Sequence, residues 1–226
     1  MMKTKILLIA GLLLALFSCK KDKPLTAPQA GIISYFNFDD NLKDQNGYAS
    51  DGIPTGNPTF TAGKIGKALT LNGTSQYVNF TANPIQSPTG VSIAFWMNVM
   101  SQQDIYFRNL VYLEDKNSDF AGIVIISSNI VKGAMGSQAA STQASYSPQT
   151  WTHVTMTFNG TDTKLYLNGI LANADSAPGI GSAYFSTLNI GHNVPNNKYL
   201  QGSIDELYIY NRALSPAEVM QLYNLK

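Results

Sequence analysis

The sequence predicts an all-β fold of two antiparallel sheets packed face to face, with one short C-terminal helix. Three observations predict it. In the stretch 151–171 (WTHVTMTFNGTDTKLYLNGIL), Val154, Met156 and Phe158 recur at every second position, the period of a strand with two unlike faces. Asn159-Gly160 opens a loop and Asn168-Gly169 is a two-residue hairpin signal needing positive φ, so the stretch is a three-strand meander. Its apolar face has no helix to cover it, which requires a second sheet. Composition is the second observation: ten Phe, twelve Tyr, 18 Gly and 10 Pro in 226 residues suit many strands joined by many turns. The third is a succession of short apolar segments bounded by Gly, Pro and Asn, with no repeat at a period of roughly 20–50 residues.

In chain order, Lys3 and Lys5 precede an apolar run of twelve residues, 6–17. Crossing a bilayer takes about 20 residues, so the run fits a signal peptide over 1–18. Its ending, Leu16-Phe17-Ser18-Cys19, resembles a bacterial lipobox, which implies cleavage before Cys19 and lipid attachment to its sulfur. The alternative is an ordinary secretory signal in which the only cysteine is incidental. Residues 19–30 are polar with two prolines and read as a lipidated flexible tether. The expected location is therefore extracytoplasmic, on the inner or the outer membrane of a cell envelope.

Residues 31–226 form one domain, long enough to bury roughly 70–75% of its unfolded surface without disulfides. Strands are expected over 31–38, 68–71, 77–80, 91–100, 110–113, 121–127, 130–135, the meander, 188–191 and 203–210. The segment 52–63 reads as turn-rich and 138–149 as a long exposed loop. At the end, Ser215, Pro216 and Glu218 make a capping box with proline at the first helical position. Val219, Leu222 and Tyr223 then share one helical face. The formal charge is +1; without Lys3 and Lys5, 13 basic residues face 14 acidic ones, leaving −1. That balance gives no electrostatic case for nucleic acid or an anionic surface as partner.

Six segments in order resemble the laminin-G-like modules of the concanavalin A-like lectin/glucanase superfamily. They are the aromatic and acidic opening 35–44, the run GKIGKALTLNG at 63–73, Phe95-Trp96 within 93–97, the WTHV…LYLNG meander, Ile190-Gly191, and GSIDELYIYNRALS at 202–215. The resemblance implies a two-sheet jelly-roll sandwich with ligand sites on its curved face or rim loops. It also implies a structural calcium held by an acidic residue matching Asp205, with backbone near an N-terminal loop and near Asn72-Gly73. Asp39 and Asp40 in the loop after the first strand would add carboxylates, since calcium takes six to eight oxygens. The alternative for that loop is a set of solvated Asx turns.

Catalysis is not expected. Glucanases of this superfamily resemble one another in a Glu-x-Asp-x-x-Glu strand, and retaining glycosidases need carboxyls about 5–5.5 Å apart. The only glutamates are Glu114, Glu206 and Glu218, none in that pattern. Asp205 and Glu206 are adjacent on a strand and should face opposite ways. Sugar binding needs an aromatic surface with nearby polar groups. Its candidates are Trp96, with the inter-sheet core as its alternative, and two polar loops carrying Tyr106, Phe107 and Arg108, and Asn196 and Tyr199. Solvated turns are the alternative for both loops. His153 is expected to hydrogen-bond within its sheet. The expected partner is a glycan, or else a surface protein if the module is adhesive; a hydrolase is the third reading.

Overall fold

The computed structural model describes residues 25–86, 90–101, 107–114, 120–127, 129–136, 141–176, 184–194 and 197–226. The strands are β1 (Ile32–Phe36), β2 (Ile53–Thr55), β3 (Thr59–Ala62), β4 (Lys67–Asn72), β5 (Tyr77–Gln86), β6 (Val91–Val99), β7 (Arg108–Glu114), β8 (Phe120–Ile125) and β9 (Ile130–Met135). They continue with β10 (Ser141–Ser145), β11 (Thr152–Phe158), β12 (Asp162–Leu167), β13 (Ile170–Ser176), β14 (Tyr184–Ile190), β15 (His192–Asn193), β16 (Lys198–Tyr199) and β17 (Gln201–Tyr210), and end in helix α1 (Pro216–Tyr223).

One sheet runs β13-β12-β11-β6-β17-β4-β3, with β1 also on β17; the other runs β10-β9-β8-β7-β14-β5-β2. Every pairing is antiparallel. Alternation decides what lies between the sheets. Ile93, Phe95 and Met97 of β6, Val154, Met156 and Phe158 of β11, and Ile123 and Ile125 of β8 all enter one buried cluster. At roughly 25 cal/mol per Å² of apolar surface, each such side chain contributes about 1.5–3 kcal/mol relative to exposure.

The outer face of the first sheet is apolar too, and α1 covers it. Ala94, Tyr166, Tyr208, Tyr210 and Leu214 pack with Val219 and Leu222 of the helix. The helix starts as its sequence requires: Ser215 accepts from the Glu218 N–H and Glu218 reaches back to the Ser215 N–H. Arg212 holds the same glutamate through both terminal nitrogens.

Two expectations about loops are corrected. The turn-rich segment 52–63 contains β2 and β3, and β10 lies inside 138–149. The expected tether is also shorter than 19–30. Pro28 is buried, Gln221 of α1 donates its side-chain amide to the Thr26 carbonyl, and Arg212 Nε donates to the Ala30 carbonyl at 2.7 Å. The signal peptide 1–18, Cys19 and the tether as far as residue 24 lie outside the described residues. Among the described residues no helix is long and apolar enough to cross a membrane.

Candidate functional site

Three adjacent strands of the seven-stranded sheet, β5, β14 and β7, lie side by side, and their outward-facing residues floor a cleft of about 320 Å³. Asn79, Thr187, Asn189, Tyr112 and Glu114 form the floor; His192, Asn193 and Val194 stand on one side and Ile53 on another. Tyr112 owes its position to a glycine. It pairs with Gly122 across β7 and β8, where an added Cβ would stand 2.6 Å from the ring, so the missing side chain lets the tyrosine lie over the strand. Phe120 stacks on that ring at 5.0 Å with the planes 20° apart. Burial pushes the Tyr112 hydroxyl above its ordinary range, with the Glu114 charge adding, so it stays a proton donor at neutral pH.

Amides complete the polar side. Asn189 donates to Asn79 Oδ1 at 2.8 Å, and Asn193 donates to Asn109 Oδ1 at 3.1 Å. Asn109, itself buried, donates to the His192 carbonyl at 2.9 Å. The His192 ring packs against both Tyr77 and Tyr199, at 4.7 and 4.5 Å, and the two tyrosines touch each other at 6.3 Å; its buried Nε2 has no hydrogen-bond partner among the described residues. An aromatic pair beside fixed amides and a carboxylate can stack on the C–H face of a sugar and hydrogen-bond its hydroxyls. Among the described residues Glu114 is the one carboxylate of the cleft, so the pair a retaining glycosidase needs is not found there.

The two loops singled out in the sequence meet at one end of this cleft. Arg108 Nε donates to the Tyr199 carbonyl at 3.1 Å, joining the start of β7 to β16. Phe107 is 43% exposed, with Lys132 Nζ 5.8 Å from its ring. Tyr106 and Asn196 lie outside the described residues. Tyr112, Phe120, Asn79 and Asn189 were not anticipated. Their signal, an aromatic facing a glycine across two strands, requires knowing which strands pair.

Trp96 belongs neither to a ligand face nor to the inter-sheet core. It is 3% exposed on the outer face of the first sheet, under Lys64 Nζ at 4.3 Å and Tyr223 at 5.5 Å. His153 lies edge-on to it at 5.2 Å and, contrary to expectation, its Nδ1 has no hydrogen-bond partner among the described residues.

The acidic residues expected to hold calcium surround one turn, 63–67. Asp205 sits where β17 passes from β4 to β1. Its Oδ2 accepts the N–H groups of Lys64 and Ile65 at 2.8 and 3.0 Å, while its Oδ1 has no hydrogen-bond partner among the described residues. Asp39 accepts the Lys67 N–H at 2.8 Å, and Asp40 pairs with the Lys67 ammonium. Apart from Asp205 Oδ1 these carboxylates face donors, and Gly73 stands beside Gln201, about 20 Å along β4 from the turn at 3.3 Å per residue. Among the described residues no group of three acidic or histidine side chains is placed to hold a metal ion. In the loop itself Asp44 accepts four backbone N–H groups, from Tyr35, Asn46, Tyr48 and Ala49.

Asp205 and Glu206 are also not on opposite faces. Glu206 has φ +52 and forms a bulge, which puts both carboxyls on the outer side. Glu206 accepts hydrogen bonds from the Tyr35 and Tyr208 hydroxyls. Burial pushes Asp205 up to about 7, with the Glu206 charge adding and its backbone bonds opposing, and pushes Glu206 up as well. Both are under 10% exposed, and Glu206 borders a surface pocket shared with Tyr35, Tyr208 and Leu25.

The sequence profile of the concanavalin A-like lectin/glucanases superfamily matches residues 72–220. The chain belongs to this superfamily. No curated protein matches it in sequence. Among solved structures, this superfamily member is similar to domain 4 of AbnA, an extracellular arabinanase from Geobacillus stearothermophilus, in complex with arabinotriose. Identity there is 21%, over 85% of this chain and 98% of that one, with a TM-score of 0.67. It is also similar to the binding domain of botulinum neurotoxin serotype D/C, at 20% identity over 86% of this chain and a TM-score of 0.72. A botulinum neurotoxin type C structure, whose cell entry depends on two ganglioside molecules, gives 19%, 86% and 0.72. The chain spans about half the length of the neurotoxin domains, 52% and 51%. At such identities the likeness is one of fold.

Proposed function

We propose that the domain is a non-catalytic carbohydrate-binding module that takes an oligosaccharide into the cleft over β5, β14 and β7. The observation that carries this reading is the Tyr112–Phe120 stack lying over Gly122 beside the Asn79–Asn189 amide pair. Glycans in neighbours of the same fold, arabinotriose and gangliosides, support it. Cys19 carries the lipid that holds the domain on the outside of a bacterial membrane. A protein partner is the second reading, favoured by the neurotoxin D/C binding domain found with rat synaptotagmin II.

A glycan array probed with the chain from Leu25 onward tests the proposal. Retention of one oligosaccharide class that Tyr112→Ala lowers about tenfold, the equivalent of roughly 1.4 kcal/mol, is the expected outcome. No retained glycan, together with capture of a surface protein that sugars do not compete, would favour the second reading.

A further inference from the structure

We propose that the face carrying α1 and the N-terminal segment lies on the lipid bilayer, so that the cleft opens away from it. The inference rests on the lipid at Cys19 in the reading above. Thr26 and Ala30 are fastened to Gln221 and Arg212, and only five residues of sequence, 20–24, separate Cys19 from Leu25. Six Cα steps from Cys19 to Leu25 span at most about 22 Å. A domain of about 200 residues has a radius of gyration of roughly 17 Å and a diameter near 40 Å. A tether that short cannot bring the far side of the domain to the membrane.

The far side is where the cleft is. Leu25 borders Ile32, Tyr35, Tyr208 and Leu225 on the outer face of the eight-stranded sheet, whereas the cleft lies on the outer face of the other sheet. The near face has the chemistry of a bilayer contact. Leu25, Ile170 and Leu171 are 51%, 67% and 50% exposed. They flank the helix, since Gly169 abuts Met220 and Tyr223 while Leu25 lies by Leu225 and Lys226. Apolar side chains of this kind sit at the headgroup boundary, and Lys20, Lys21 and Lys23 add local attraction to anionic lipid that the nearly neutral domain lacks.

The full lipidated chain in vesicles of phosphatidylethanolamine and phosphatidylglycerol tests this. Cys19 is the only cysteine, so once lipidated it leaves no free thiol and an added cysteine can be labelled alone. A fluorophore at Lys226→Cys or at Leu171→Cys should be quenched by brominated lipid several-fold more than one at Ile53→Cys on the cleft rim. Equal quenching, or stronger quenching at Ile53→Cys, overturns the orientation; so does a second copy of the chain shielding the helix face from lipid. The intact mass separates the two levels of failure. A chain with unmodified Cys19 removes the anchor and the orientation with it, while a lipidated chain without the contrast removes the orientation alone.

Discussion

His153 should make the fold acid-labile by an amount the structure sets. The residue is 1% exposed on β11, edge-on to Trp96 and 6.1 Å from Tyr223 of α1. Burial holds its pKa at about 3, against an ordinary 6.5. Between those values the unfolded chain binds a proton that the folded chain does not. The stability linked to this residue is therefore fully present above pH 6.5 and is lost as pH falls towards 3. At pH 4.5 the loss is about 3 kcal/mol, which lowers the melting midpoint of a 200-residue domain by about 7 °C. His153→Phe keeps an aromatic ring beside Trp96 and cannot take up the proton. Urea unfolding of both proteins at pH 7 and pH 4.5 isolates the effect, because the carboxylates respond alike in each. The wild type should lose about 3 kcal/mol more than the variant on acidification. Parallel losses in the two proteins would refute the reasoning.

Asp205→Ala strands the Lys64 and Ile65 N–H groups and should cost about 2–6 kcal/mol in urea unfolding, at roughly 1–3 kcal/mol for each unsatisfied group. An unchanged midpoint would show that the turn at 63–67 does not depend on it. Chelation with EDTA should leave the thermal midpoint unchanged, because Asp39, Asp40 and Asp205 Oδ2 already face N–H and ammonium donors; a fall would show that a calcium site assembles there. Glu218→Ala removes half of the capping box and the Arg212 pair, for a loss of about 1–2 kcal/mol. The Arg212 guanidinium holds Glu218 down to about 2, so its contribution is present above pH 4.5 and disappears as pH falls to 2. The variant should lack that acid dependence in a pH series of melts.

The meander and the capped helix were legible because each carries its own period and punctuation. Where the two faces of a strand are equally apolar, the period says nothing about direction. β6 is buried from Val91 to Met97 on both faces, so Trp96 gave no sign that α1, not the second sheet, covers it. The bulge at Glu206 was hidden because a glutamate at positive φ follows from the change of partner along β17, not from its own propensity. β10 escaped notice because STQAS has no apolar side, as an edge strand need not. The loop residues Arg108 and Tyr199 were visible one by one, but their contact and the Tyr112–Gly122 pairing depend on strand order.

Titration calorimetry with the oligosaccharide retained on the array, comparing the wild type with Gly122→Val, tests the binding surface most directly. A side chain at position 122 must displace the Tyr112 ring while leaving every cleft hydrogen bonder in the chain. Binding about tenfold or more weaker, with the urea midpoints of both proteins reported alongside, is the predicted result. Undiminished affinity in a folded Gly122→Val protein would show that sugar, if bound, rests elsewhere.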